Sequence, residues 1–192
     1  MLTQLVPLHA IAAGRGDGLR PELANLLEPG ANALSTASGE MTMSRERDNK
    51  AIVGRWFEGF WGNPWNPRII DEFAAPDMLL QYSLHAPRRG REDVRNFMMD
   101  FRAAFPDLKF WGAADLIAEG DYVVGRWEGG GTHTGPAFGD FLAGALPATS
   151  GRKMHFTGTT VLRVENGKIA EEVGLDDGVA ALTQLGILKA AA

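Results

Sequence analysis

The chain has 192 residues, enough for one domain with its own core and too few for two ordinary ones. A formal net charge of −5 argues against a nucleic-acid partner, which needs a basic face to neutralise phosphates, and against an anionic membrane surface. With no cysteine, disulfides, thiolate catalysis and cysteine-held zinc or iron–sulfur clusters are excluded.

The N-terminal stretch MLTQLVPLHAIAAGRG is apolar, but it lacks a basic leading region and is interrupted by Gln4 and His9, so no signal peptide is expected. No apolar run reaches the ~20 residues of a membrane span. A cytoplasmic location is the expectation. Short helices are expected over residues 2–13 and 21–27, the second with Pro21 in its first turn. Residues 31–40, rich in Ser, Thr and Ala, read as linker. The expected division is thus an N-terminal extension with linker over 1–40 and a domain over 41–192. Two readings of the first 40 residues stand: a genuine extension, or an upstream start. Leu2-Thr-Gln-Leu5 echoes Leu182-Thr-Gln-Leu185, a chance likeness of two amphipathic segments or the remnant of a repeat.

From Asn49 the pattern becomes regular. Ile52, Val53, Trp56, Phe57 and Phe60 recur at helical intervals and predict a helix over 49–61. Asn63-Pro64-Trp65-Asn66-Pro67 breaks it, and a short helix follows over 68–73. Residues 78–84 read as a strand. Val94, Phe97, Met98, Phe101 and Phe105 make 90–105 an amphipathic helix closed by Pro106. Strands are expected over 109–118, 122–130, 153–164 and 169–175, with turns at Gly120-Asp121 and Asn166-Gly167. Asn-Gly between two runs of strand formers is a strong hairpin signal, because both residues tolerate positive φ. A last helix is expected over 178–185. Helices, then an antiparallel sheet, then a terminal helix describe an α+β fold.

Several segments in this order carry a resemblance. They are Phe105-Pro106-Asp107, Glu119-Gly120-Asp121, Gly131-Thr132-His133-Thr134-Gly135, Phe138-Gly139, and Asn166-Gly167-Lys168-Ile169 leading to Gln184-Leu185-Gly186. Together they resemble the SnoaL-like polyketide cyclase and ester cyclase branch of the nuclear transport factor 2-like superfamily. The resemblance implies a cone, a curved antiparallel sheet wrapped around helices with an internal pocket, and a homodimer formed through the open sheet face. It also implies a small apolar carbonyl ligand and an intramolecular aldol ring closure. That reaction needs a base for an acidic C–H and a donor for the enolate. By the resemblance, the acid/base aspartate falls at Gly174 and a histidine of the neighbouring strand at Thr160. Neither residue can do that work, although Asp176 lies only two positions on.

If 174 faces the pocket, strand alternation turns Ala170, Glu172 and Asp176 the same way. If Thr160 does, so do Phe156, Gly158 and Leu162. The candidate catalytic residues are therefore Glu172, Asp176 and His133. The candidate ligand-binding residues are Tyr82, His85, Thr160, Phe156, Leu162, Trp61 and Trp65, the two tryptophans as lid. Each has a plainer reading: a structural carboxylate for Glu172, a helix cap for Asp176 and more so Asp177, a loop-shaping imidazole for His133, and a solvent loop for His85. The histidines show no metal spacing, and neither metal nor cofactor is expected. Cofactor-free cyclisation, isomerisation or hydration is the first functional expectation; a non-catalytic ligand-binding or dimerisation module is the alternative.

Overall fold

The structure, a computed structural model, describes residues 29–189. The expected helices over 2–13 and 21–27 lie outside the described residues. The chain divides into two units at Met43/Ser44. The described part of the first unit, residues 29–43, is helical throughout. In chain order the elements are α1 (Pro29–Trp56), a single π-helical turn (Phe57–Trp61), α2 (Arg68–Phe73), β1 (Ala74–Gln81), β2 (Arg88–Arg89), α3 (Arg91–Ala104), β3 (Lys109–Gly112), β4 (Ile117–Glu119), β5 (Tyr122–Thr132), β6 (Phe138–Phe141), β7 (Gly144–Leu146), β8 (Lys153–Glu165), β9 (Lys168–Asp176) and α4 (Gly178–Gln184).

Residues 31–40, expected as linker, belong instead to α1. Ser, Thr and Ala carry no helix breaker, and Ala is the best of the helix formers. The expected strand over 109–118 is split into β3 and β4, and both pieces pair with β5. The main sheet runs β2-β1-β9-β8-β5-β3. It is mixed rather than wholly antiparallel, because β1 pairs parallel to β9. The β8–β9 hairpin turns at Asn166 and Gly167, with φ of 50° and 72°, the positive values that its two-residue turn requires.

Face alternation holds along β8, where Met154, Phe156, Thr160, Leu162 and Val164 are buried. Along β9 it slips. The register shifts between Arg163 and Val164, so Ile169 is buried and Ala170, expected inward, is not; beyond the irregularity Glu172 and Gly174 are inward.

The core between sheet and helices is aromatic. Trp56, Phe60, Phe105, Met78, Met98 and Leu108 are fully buried, each buried Phe contributing roughly 1.5–3 kcal/mol. Arg102 ties α3 to the loops above it. Its Nη1 donates to Leu108 O (3.0 Å) and its Nη2 to Phe60 O and Gly62 O (both 2.8 Å). Burial lowers its pKa to about 10. Two to three turns before the end of α1, Asn49 Nδ2 donates to Gly120 O (3.1 Å) and Arg45 pairs with Asp121 (3.2 Å), pinning the β4–β5 turn. No helix among the described residues is long and apolar enough to cross a membrane.

Candidate functional site

The sheet, the π-helical turn and α3 line an open-mouthed pocket; the empty space between its walls, solvent at the mouth included, is about 510 Å³. Phe57 and Trp61 come from the π-helical turn, Phe97 and Phe101 from α3. Phe110, Trp127 and Phe156 come from β3, β5 and β8. Leu80, Tyr82, Leu84, His85, Ala86 and Arg88 come from β1, β2 and the segment between them, and Asp176 from the end of β9. The rings meet edge to face: Trp61 on Tyr82 (5.3 Å) and Phe110 (5.5 Å), and Trp127 on Phe156 (5.5 Å). This arrangement sets positive ring edges against negative faces.

Two glycines make room for those rings. A Cβ on Gly174 would lie 2.1 Å from the Tyr82 ring, and one on Gly158 would lie 2.2 Å from the Trp127 ring. Both glycines stand on the inner face of the sheet, and each carries an aromatic ring from another strand or loop.

Behind Trp61 and Tyr82 lies Glu172, fully buried. Its Oε1 accepts from Trp61 Nε1 (2.7 Å) and the Tyr82 hydroxyl (2.6 Å), and its Oε2 from Trp56 Nε1 (2.7 Å). The π-helical turn explains how both indoles reach it. On an α-helix, residues five apart point roughly 140° apart at about 100° per residue. The wider winding of the i→i+5 turn, with Gly62 N donating to Phe57 O (2.9 Å), brings Trp56 and Trp61 to one side. Burial raises the Glu172 pKa above the ordinary carboxylate value, although its three donors pull the other way. The network continues at the Tyr82 hydroxyl, 2.9 Å from Thr160 Oγ1; the threonine accepts from Trp127 Nε1 (2.7 Å) and has its own O–H free to donate to the tyrosine oxygen. Burial, then the Glu172 charge, push the Tyr82 phenol well above its ordinary value. Glu172 and Thr160 thus stand behind the pocket lining and hold Trp61, Tyr82 and Trp127 in place.

Asp176 is on the pocket wall. The Ser83 hydroxyl donates to its Oδ1, and burial raises its pKa. Capping of α4 falls to the neighbouring Asp177, whose Oδ1 accepts from Ala180 N (3.1 Å). His85 is also on the wall and buried, with Nδ1 3.0 Å from Asp140 Oδ2.

The other candidates lie elsewhere. His133 is fully buried, but both ring nitrogens are engaged, Nδ1 with Ser150 Oγ (2.9 Å) and Nε2 with Pro136 O (2.8 Å). It shapes the 133–151 loop and packs on Phe105, away from the pocket lining. Leu162 is a fully buried core residue of β8 and is not among the lining residues. Trp65 packs over Arg102 (5.7 Å) and is not among the lining residues. Trp61, expected as lid, is a buried wall held by Glu172, because its N–H has a partner inside. Phe156 and Tyr82 line the pocket. Among the described residues no group of three or more His, Asp or Glu is placed to hold a metal ion.

Arg88 and Asp140 were not legible as site residues. Arg88 Nη2 donates to Asp140, which lies 52 positions on, and no local spacing links such a pair. The one sequence signal is an acidic residue between two aromatics, Phe138-Gly139-Asp140-Phe141.

A family model described as SnoaL-like polyketide cyclase matches residues 51–185. No curated protein matches the chain. Among solved structures, a candidate SnoaL-like polyketide cyclase from Jannaschia sp. CCS1 superposes with a TM-score of 0.62 at 23% identity, over 75% of this chain and 95% of that one. AclR, a candidate hydroxylase from Streptomyces galilaeus, gives 0.59 at 22% identity, over 77% and 86%. A protein from Catenulispora acidiphila with a ketosteroid isomerase-like fold, solved with trimethylamine, gives 0.55 at 19%, over 70% and 92%. At these identities the likeness is one of fold.

Proposed function

Because the chain belongs to the SnoaL-like polyketide cyclase family, we propose that its pocket takes a small apolar carbonyl compound and moves a proton on it without a cofactor. One observation carries this reading: Asp176 is the one carboxylate among the lining residues, which are mostly aromatic and aliphatic, and it is held by Ser83 and raised in pKa by burial. A base of this kind, made more basic by its surroundings, suits abstraction of a proton next to a carbonyl near neutral pH. The electron pair left behind moves onto the carbonyl oxygen. The resulting enolate either attacks a second carbonyl, closing a ring, or, where it is conjugated to a C=C bond, takes the proton back at the far carbon, giving an isomer. Glu172 is the positioning group. Both of its oxygens are engaged, and it fixes the rings against which the substrate lies.

The family's acid/base aspartate, which the resemblance places at Gly174, has in this reading ceded its role to Asp176, and Tyr82 fills the vacated space. We also propose that two copies pair through the outer sheet face, where Val161, Leu175, Tyr122 and Trp111 are exposed.

The test is exchange of the α-hydrogens of 2-tetralone, an apolar aromatic ketone, in deuterium oxide, followed by proton NMR. The wild type is expected to accelerate exchange over a buffer of equal carboxylate strength. Asp176→Asn should lose about 100-fold or more of that acceleration, the span of general base catalysis. Binding of the ketone with no exchange would leave the non-catalytic module, and an unaffected Asp176→Asn would remove the base assignment.

A further inference from the structure

The short β6–β7 hairpin forms a two-stranded sheet apart from the main one. It meets the main sheet's residues at the pocket mouth through a bridge between His85 and Phe141 and through Leu142 N donating to Leu84 O (3.0 Å). From this hairpin Asp140 reaches His85 Nδ1 (3.0 Å) and also accepts from Arg88. The His85 ring is boxed in: it stacks on Phe141 (5.1 Å, 29°) and meets Phe97, Phe101 and Phe138 edge-on. Four rings and one carboxylate therefore fix where each ring edge points. Nδ1 is taken by Asp140, while Nε2 has no hydrogen-bond partner among the described residues, and the residue lines the pocket.

We propose that His85 is a second proton-handling residue of the pocket, with Asp140 as the positioning residue that keeps the proton on Nδ1 and turns Nε2 toward the ligand. This rests on the carbonyl reading above. An ionised carboxylate only accepts hydrogen bonds, so Asp140 requires an N–H at Nδ1. Burial pushes the Asp140 carboxyl up, but the His85 and Arg88 hydrogen bonds outweigh it and hold the group below its ordinary value. The charged groups around the ring are Asp140 from β6, Arg88 from β2 and Asp176 from β9; Asp93 of α3 lies behind Arg88 at 3.7 Å.

The step balances. Asp176 takes the α-proton, the C–H electron pair becomes the new C=C bond, and the carbonyl π pair moves to oxygen. Imidazolium Nε2–H gives its proton to that oxygen. The products are an enol, protonated Asp176 and neutral His85. Ketonisation, with Asp176 returning its proton to the α-carbon and the enol O–H returning its proton to Nε2, restores both groups. Since Asp140 belongs to the hairpin, the histidine is correctly set only while the hairpin is seated.

The first experiment needs no variant. Long-range proton–nitrogen NMR on the full chain, labelled at histidine, reports which ring nitrogen carries the proton in neutral His85. The expected result is Nδ1–H with bare Nε2; a proton on Nε2 overturns the proposal. The second uses 2-tetralone exchange across pH. His85→Gln should lower the catalysed rate about 100-fold, the range of general acid catalysis. Asp140→Asn should lower it about 10-fold, move the neutral tautomer toward Nε2–H, and shift the pH profile, with recovery in Asp140→Glu. Ketone binding, read from Trp61 and Trp127 fluorescence, should stay within about 3-fold. An Nδ1–H tautomer with exchange indifferent to His85→Gln would make the histidine purely structural and sink the inference. Loss of exchange in His85→Gln, with Asp176→Asn unaffected, would remove the base assigned above and leave the histidine standing.

Discussion

Replacing Glu172 with Gln tests whether the buried carboxylate is the keystone of the aromatic wall. The amide oxygen can take the place of Oε1 and keep the bonds from Trp61 and Tyr82. The amide NH2 then faces Trp56 Nε1, where Oε2 accepts at 2.7 Å in the wild type. One hydrogen bond to a charged group is lost, and a buried N–H is left facing another donor. The expected loss is about 2–3 kcal/mol, a sizeable part of the roughly 5–15 kcal/mol that holds an ordinary domain together. Urea unfolding monitored by tryptophan fluorescence measures it, with Trp56 and Trp61 as reporters of the site itself.

The pH dependence gives an independent sign. Burial raises the folded-state value of Glu172 above its ordinary 4.5, so between the two values the folded chain binds more protons than the unfolded one. Wild-type stability contributed by this group therefore falls as pH rises through that window. Gln has nothing to titrate, so the deficit of the variant should narrow as pH rises from about 4.5. Asp176, raised in the same direction, and Asp140, lowered, are present in both proteins and cancel in the difference. A deficit under about 0.5 kcal/mol, or one that widens with pH, would refute the reasoning.

Two further predictions concern the rest of the molecule. His133→Ala removes both bonds of the 133–151 loop and a buried ring, and should cost about 2–4 kcal/mol in urea unfolding while tetralone exchange per folded molecule stays at the wild-type rate. For the outer sheet face, sedimentation at micromolar concentration should give a dimer, and Leu175→Glu, at a side chain 78% exposed, should give a folded monomer; a monomeric wild type would end that proposal.

Much of the architecture could be read from residue order because its signals are local. Val94, Phe97, Met98 and Phe101 face one side of α3, and Asn166-Gly167 sits in the positive-φ turn such a pair specifies. The parallel pairing of β1 with β9 joins segments about ninety residues apart, and no periodicity reports a partner's direction. The β6–β7 hairpin was missed because its strands are short and follow no clean alternation; its register shifts between Phe138 and Phe141. For the site, strand alternation correctly turned Glu172, Thr160 and Phe156 inward. It could not tell a side chain lining the pocket from one lying behind it. That depends on which ring covers which backbone, a relation between Tyr82 and Gly174 or between Trp127 and Gly158 that only the folded chain displays.

The Tyr82–Gly174 pairing also constrains how this pocket can change over generations of mutation. Any side chain introduced at 174 while Tyr82 remains meets the ring at about 2 Å, so an acidic residue there is closed to a single substitution. The permissive route goes through position 82 first. A smaller residue there opens the space, at the loss of the hydroxyl that joins Glu172 to Thr160. The intermediate is then both destabilised and short of a wall, and selection would meet it before any gain. Two positions, one on β9 and one just past the end of β1, thus behave as one heritable unit, and relatives should carry either a bulky ring with glycine or a small residue with a side chain, rarely a mixture.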